Sequence, residues 1–382
     1  MIEMQNWFDR RRLFLIAVEI FLLHSLLFAA AVLWGGTLVP VNADGHLVHT
    51  FFNPFTRGLH NWDAGWYLKI VRHGYTRLSI VFFPLFPLLI DGAGRLLHMA
   101  ALPAGLLVAN LSFLAALYLF LLLMAQEGVP EETARRAALF LALFPTSFFF
   151  SAVYTESLFL ALSLAAFLCA RRGQWLAACL LAGLTALTRN PGILLLPALG
   201  WEYLSQRRER GERWNHQVLY LGLIPAFLAT FLLYQQVRFG DPLAFVHTDA
   251  VPAWSRLLTV PGWPIVLGIK ALVPFQFVYW WTNKFDDLVF TLFALGLLVW
   301  GFRSLRRAEW LYAALSFLLP LCSYLRVEPL TSMPRYIIVL FPLFLVLAEK
   351  VKKPGPQLFL MVLFPAFFFL LTVLYINAYW VA

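Results

Sequence analysis

Apolar runs of about twenty residues recur along this chain, and few architectures other than a bundle of membrane helices can absorb them. A helix needs about 20 residues, at ~1.5 Å rise each, to cross ~30 Å of hydrocarbon. By that ruler the candidate spans are Leu13 to Val39, Pro103 to Ala125, Ala134 to Phe150, Tyr154 to Ala170, Trp175 to Thr188, Pro191 to Leu204, Gln217 to Val237, Leu288 to Phe302, Trp310 to Leu325, Tyr336 to Ala348 and Leu358 to Trp380. Several are short or broken by proline. Two more stretches, Ile80 to Met99 and Val260 to Trp281, are ambiguous. With 61% of 382 residues hydrophobic and 13% charged, a soluble globular domain and a disordered chain are both excluded. The run behind Arg10-Arg11-Arg12 is too long for a signal peptide and lacks a small-residue cleavage site, so it reads as an uncleaved first span.

The cations settle how the spans alternate. Arg10-Arg11-Arg12, Arg135-Arg136, Arg171-Arg172, Arg207-Arg208-Glu209-Arg210, Arg303 with Arg306-Arg307, and Lys350 with Lys352-Lys353 can all be cytoplasmic only if neither ambiguous stretch crosses. Pro84 and Pro87, then Asp91-Gly92-Ala93-Gly94-Arg95, interrupt the first. Pro261, Pro264 and Pro274, with Trp263 and Trp280-Trp281, interrupt the second. The expectation is an all-α polytopic membrane protein of about eleven spans, N-terminus inside and C-terminus outside, folded as one domain over 1–382. The formal charge of +9 reflects this loop bias, with membrane lipids and not nucleic acid as the partner. Cys169, Cys179 and Cys322 lie in apolar segments without ligand spacing and read as core residues.

In this topology the segments around Asp63, Tyr154-Thr155-Glu156-Ser157, Thr188-Arg189-Asn190-Pro191, Asp241 to Arg256 and Arg326 to Arg335 emerge together on the extracytoplasmic face. The first of them, His60 to Tyr75, sets a carboxylate among Trp62, Trp66 and Tyr67. Aromatic faces pack on sugar C–H surfaces while an acid takes hydroxyl protons, so a sugar site is one reading. An interfacial helix with Asp63 merely solvated is the other. Lys69, Arg72, His73 and Arg77 follow on the side where the charge rule disfavours them, which suggests an anion such as a lipid phosphate, or headgroup snorkelling.

Glu156 sits at the mouth of an apolar span, where an acid is costly unless hydrated, paired or used. It reads as a second acid, a metal ligand, a partner for Arg189, or a plain helix N-terminal carboxylate. Arg189 and Arg335 each read as an anion clamp or a snorkelling end residue. Asp91 and Arg95, at i,i+4, are expected to pair with each other. Glu19 and His24 lie in the first span with no chemical role in view. The sequence has no HExxH, Cys/His cluster, DxD, phosphate loop or GxSxG elbow, and Asp286-Asp287 reads as a helix start.

Trp62-Asp63-Ala64-Gly65-Trp66-Tyr67-Leu68-Lys69-Ile70, Gly74-Tyr75 and Phe82-Phe83-Pro84-Leu85-Phe86-Pro87-Leu88-Leu89 resemble the phosphatidylinositol-glycan (GPI) mannosyltransferase II family and its prokaryotic relatives. Tyr154-Thr155-Glu156-Ser157-Leu158-Phe159, Thr188-Arg189-Asn190-Pro191-Gly192 and Pro334-Arg335-Tyr336 with Phe341-Pro342 fall in the family's order. The resemblance implies a GT-C glycosyltransferase fold, with a module over 1–240 whose catalytic loop spans 40–100 and variable helices over 241–382. It implies a polyprenyl-phosphate sugar donor, usually mannose, a lipid or glycan acceptor, and no metal cofactor. The family's essential acid matches Asp63 and its second acidic position matches Glu156.

On this footing the expected enzyme is an inverting mannosyltransferase with Asp63 as general base. Lys69, Arg72, Arg189 and Arg335 would hold the donor phosphate, and Trp62, Trp66, Tyr67 and Tyr154 would line the sugar pocket. The compact chain suggests a plasma membrane of bacterial or archaeal type. Two alternatives stand beside this reading: a different lipid-phosphate sugar, or a polyprenyl-linked glycan transporter. A transporter would carry polar residues along a path across the bilayer, whereas here they gather at one face.

Overall fold

The computed structural model describes residues 9–39, 58–247, 256–271, 285–325 and 328–381. Pro274, Trp280-Trp281 and parts of Asp241 to Arg256 and Arg326 to Arg335 lie outside them. The described chain is helical, apart from a two-residue antiparallel ladder joining Leu257–Leu258 to Ser323–Tyr324. Its helices are α1 (Arg10–Leu38), α2 (Asp63–His73), α3 (Leu85–Leu97), α4 (Ala101–Gln126), α5 (Glu131–Leu143), α6 (Glu156–Arg171), α7 (Trp175–Ala186), α8 (Leu195–Glu209), α9 (Leu223–Phe239), α10 (Trp263–Ala271), α11 (Phe285–Gly301), α12 (Arg307–Leu318), α13 (Met333–Ile337), α14 (Phe341–Lys350) and α15 (Pro354–Ile376).

Four described helices are long and apolar enough to cross a membrane: Arg10–Gly35 in α1, α4, His216–Phe239 and α15. The remaining apolar runs fold as shorter pieces. Pro145, which has no N–H to donate, ends α5 and leaves Ser147–Phe150 as a 3-10 turn. Pro191 does the same between α7 and α8. The ambiguous stretch Ile80 to Met99 yields only α3, 13 residues and about 20 Å long, short of the hydrocarbon thickness.

The main core is an apolar cluster through α1 to α9 and α11 to α15, and a smaller one gathers Ile80, Phe83, Phe231 and Ala244. At its centre α6 packs between α4 and α7, and α15 lies along α1. The first and last spans approach closely because Gly35 has no side chain. A Cβ there would sit 2.6 Å from Ile376 Cδ1, and Asn377 Nδ2 donates to Gly35 O at 2.9 Å. The histidine of α1 is fully buried and structural: its ring nitrogens meet Ala142 O at 2.7 Å and Ser151 Oγ at 2.9 Å, and Ser151 Oγ reaches Asn110 Oδ1 at 2.9 Å. The three cysteines are free.

Helix α6 carries a charge at each end and so divides the molecule into two polar poles about 22 Å apart. At its last residue, buried Arg171 meets Glu127 and Glu309, both at 2.8 Å, and Glu202. The same pole holds Arg12 against Glu131 at 2.6 Å, Arg135 against Glu19 at 2.5 Å and Arg136 against Glu132 at 3.0 Å. The basic clusters read as cytoplasmic around positions 12, 135 and 171 thus gather at one pole. Asp91 and Arg95 pair with each other at 3.0 Å, as their spacing predicts. Glu156, the first residue of α6, faces the opposite pole.

Candidate active site

Two short helices, α2 and α13, and the turn at Arg189 converge around Glu156. The first is α2, which opens on Asp63. Trp62 precedes it with φ of 57° and ψ of −128°, a conformation that costs a side-chain-bearing residue about 1–3 kcal/mol. The turn lets the chain enter α2 with Asp63 as its first residue. Ser332, φ 66°, does the same at the start of α13, which delivers Arg335. Both strained residues thus stand directly before the helices that carry an ion pair.

Arg335 joins the acids. Its Nη1 lies 2.7 Å from Asp63 Oδ2 and its Nε 2.8 Å from Glu156 Oε1. Arg189 Nη1 reaches the same Glu156 oxygen at 2.7 Å. The result is a chain of alternating charge, Asp63 to Arg335 to Glu156 to Arg189. Its middle is dry, with Glu156 fully buried and Arg335 7% exposed, while its ends are the accessible parts. The side chain of Asp63 is 24% exposed and that of Arg189 12%. Asp63 Oδ1 makes no hydrogen bond among the described residues, and neither does buried Glu156 Oε2.

Aromatic rings wall the guanidinium groups. Arg335 lies over Tyr154 at 4.7 Å and Phe149 at 5.2 Å, and Arg189 over Tyr336 at 5.1 Å. Burial opposes the Arg335 charge, but Glu156 and Asp63 together hold its pKa above the ordinary guanidinium value. Tyr67, buried one turn along α2 from Asp63, has its phenol pushed up first by burial and then by the Asp63 and Glu156 carboxylates, so it remains a neutral donor.

Of the residues singled out in the sequence, Asp63, Glu156, Arg189, Arg335 and Tyr154 come together, with Tyr67 beside them. Trp62 packs edge-on against Trp380 at 4.8 Å and leaves its buried Nε1 without a hydrogen-bond partner. Trp66 stacks on Phe82 at 6.0 Å, with Lys69 Nζ 4.9 Å above its ring. Lys69 and Arg72 are exposed and lie about 240° and 180° around α2 from Asp63, so they stand outside the ion-pair chain. Among the four readings of Glu156, two are found together: it is the first residue of α6, a helix N-terminal carboxylate, and it pairs with Arg189 and also with Arg335. Among the described residues no three His, Cys, Asp or Glu side chains group as a metal site. Asp241 pairs locally with His247 at 2.8 Å.

Sequence reasoning did not single out Phe149, Tyr336, Tyr375 or Trp380. Tyr336 lies inside the quoted Pro334-Arg335-Tyr336 without a role given to it and Phe149 lies five residues before Tyr154, whereas Tyr375 and Trp380 arrive from the last span with no local signal. Tyr375 is buried against Phe149 and Tyr154, and its carbonyl accepts from Asn61 Nδ2 at 3.3 Å.

One glycine positions Arg189. A Cβ at Gly192 would lie 2.5 Å from Ala186 N and Cα, backbone that cannot step aside. Gly192→Ala is therefore expected to push the 190–194 turn away from α7, destabilise the protein by about 1–3 kcal/mol and draw Arg189 off Glu156. A thermal melt in detergent would register the first effect. An unchanged midpoint would contradict the close approach.

Residues 12–238 match the family described as Mannosyltransferase (PIG-V). The GPI alpha-1,6-mannosyltransferase 2 of Mus musculus is 35% identical over 150 residues, 36% of this chain and 30% of that protein. Its counterparts in Cricetulus griseus and Rattus norvegicus are 34% and 33% identical over 148 residues, with the same coverage. The matched stretch thus spans less than a third of the length of these relatives. All three are mammalian and lend no support to a bacterial or archaeal membrane. Asp63, Glu156 and Arg189 fall inside the family match, and Arg335 falls beyond it.

Proposed function

This chain belongs to the mannosyltransferase (PIG-V) family, and on that premise we propose that it is an inverting mannosyltransferase working at the pole where Asp63 is exposed. The donor is a polyprenyl-phosphate mannose and the acceptor a lipid-linked or glycan hydroxyl. GPI precursors are the acceptor class that the relatives' names suggest. The observation that carries the reading is the Asp63–Arg335–Glu156–Arg189 chain: one accessible carboxylate at one end and one accessible guanidinium at the other.

The chemistry divides between those ends. Asp63 takes the proton of the acceptor hydroxyl through its free Oδ1 while Arg335 fixes Oδ2. The hydroxyl oxygen bonds to the anomeric carbon from the face opposite the phosphate, and the bond from that carbon to the phosphate oxygen breaks. The departing phosphate gains one negative charge, which Arg189 and the remaining Arg335 N–H groups stabilise. Glu156 touches no substrate in this scheme. It acts as a positioning residue, fixing both guanidinium groups from behind. Lys69 and Arg72 form an outer ring that draws the anionic donor to the interface. Trp62, Trp66, Tyr67 and Tyr154 bound the sugar.

The test is transfer of labelled mannose from a short polyprenyl-phosphate mannose by purified protein, against a panel of lipid and glycan acceptors. Because guanidinium groups carry the phosphate charge in this scheme, activity is expected to survive EDTA with less than about a twofold change. Loss in EDTA that added divalent metal restores would overturn the metal-free scheme. Absence of both donor binding and donor hydrolysis would overturn the choice of donor.

A further inference from the structure

At the pole opposite Asp63, α11 and α12 part and leave an apolar cavity of about 630 Å³. Helix α11 begins against α13, which carries Arg335, and runs about 24 Å to the other pole before the chain turns at Arg303. Leu298, Ala314 and Phe317 form a buried floor, and Val299 and Leu318 are exposed walls. Trp310 Nε1 donates to Leu298 O at 3.0 Å, which ties the two helices at this depth and braces the cavity.

The mouth is basic. Arg303, Arg306 and Arg307 are exposed within five residues of one another. Arg307 lies 4.5 Å over the Phe302 ring, and Arg306 comes no nearer to an acid than 3.9 Å from Glu127. The next acid, Glu309, is turned inward onto Arg171. Trp300, 59% exposed, stands at the rim, and tryptophan is a side chain that favours the lipid headgroup region.

We propose that this cavity is a binding site for an anionic phospholipid, with one acyl chain along the α11–α12 slot and its phosphate held by Arg303 and Arg307. A free phosphate would have no use for the apolar floor, and a zwitterionic lipid would gain little from Arg303 and Arg307, which pair with no acid among the described residues, whereas Arg306 lies 3.9 Å from Glu127. The site is separate from the catalytic pole, so the proposal does not depend on the reaction assigned there.

Native mass spectrometry of the delipidated full chain in detergent, titrated with phosphatidylglycerol or phosphatidylcholine of the same acyl chains, tests it. At about fivefold per basic residue, two arginines predict a preference of more than tenfold for phosphatidylglycerol. The double variant Arg303→Gln/Arg307→Gln should bring the two lipids within about twofold while mannosyl transfer is unchanged. Leu318→Trp, which fills the slot, should weaken both lipids; Val299→Trp replaces it if the melt shows that it misfolds. Equal affinity for the two headgroups, or a preference that survives the double arginine variant, would overturn the proposal.

Discussion

Asp63→Asn is expected to lower kcat for mannosyl transfer by about 10²–10⁴-fold while leaving KM for the donor nearly unchanged. The substitution is nearly isosteric, and its amide oxygen still accepts from Arg335 Nη1, so α2 and the 2.7 Å contact have reason to persist. What disappears is a group able to take the acceptor's proton. Donor hydrolysis measured in parallel should fall in step, because water is then the nucleophile that needs the same base. Asp63→Glu is expected to fall between the two, since the longer arm carries the carboxylate away from Arg335 Nη1. Full transfer by Asp63→Asn at matched protein and donor would sink the assignment of the base. A raised donor KM with kcat intact would mean that Asp63 positions the sugar and leaves the proton to another group.

Different parts of this arrangement were legible in the sequence to different degrees. Of the eleven expected spans, those at Leu13 to Val39, Pro103 to Ala125, Gln217 to Val237 and Leu358 to Trp380 were readable, because crossing a lipid bilayer demands a long apolar run. The interruptions at Pro145 and Pro191 were less so, because a proline's effect depends on whether neighbouring helices can take up the lost hydrogen bond. Asp63, Glu156, Arg189 and Arg335 stood out as charges that an apolar chain does not place without use. Nothing local in the sequence told that Arg335, 272 positions after Asp63 in the numbering, would hold Asp63 and Glu156 at once. Lys69 and Arg72 were expected at the donor phosphate, but α2 carries them on faces turned about 240° and 180° from Asp63. Tyr375 and Trp380 were invisible because their contacts are set by how α15 lies along α1, a packing outcome with no sequence marker of its own.

Arg335 is the most exacting test of the site, because its removal should damage stability and catalysis by separable routes. Arg335→Met leaves Glu156 fully buried with only Arg189 as counter-charge, and Asp63 with none. Breaking a buried ion pair by removing one partner costs about 3–5 kcal/mol. Adding Glu156→Gln to Arg335→Met removes the buried charge as well, so the double variant should be more stable than the sum of the two single losses by about 0.5–3 kcal/mol. Transfer should nevertheless remain absent, since no guanidinium then steadies Asp63 or the phosphate. Arg335→Lys makes the finer distinction. A lysine supplies a point charge in place of a fork, and cannot offer Nη1 to Asp63 and Nε to Glu156 in one plane. It should recover much of the stability and little of kcat. Strict additivity in the double-variant melt would mean that the two residues are not coupled as the 2.8 Å contact requires. Near-normal kcat in Arg335→Lys would reduce Arg335 to bulk charge and leave the leaving group to Arg189.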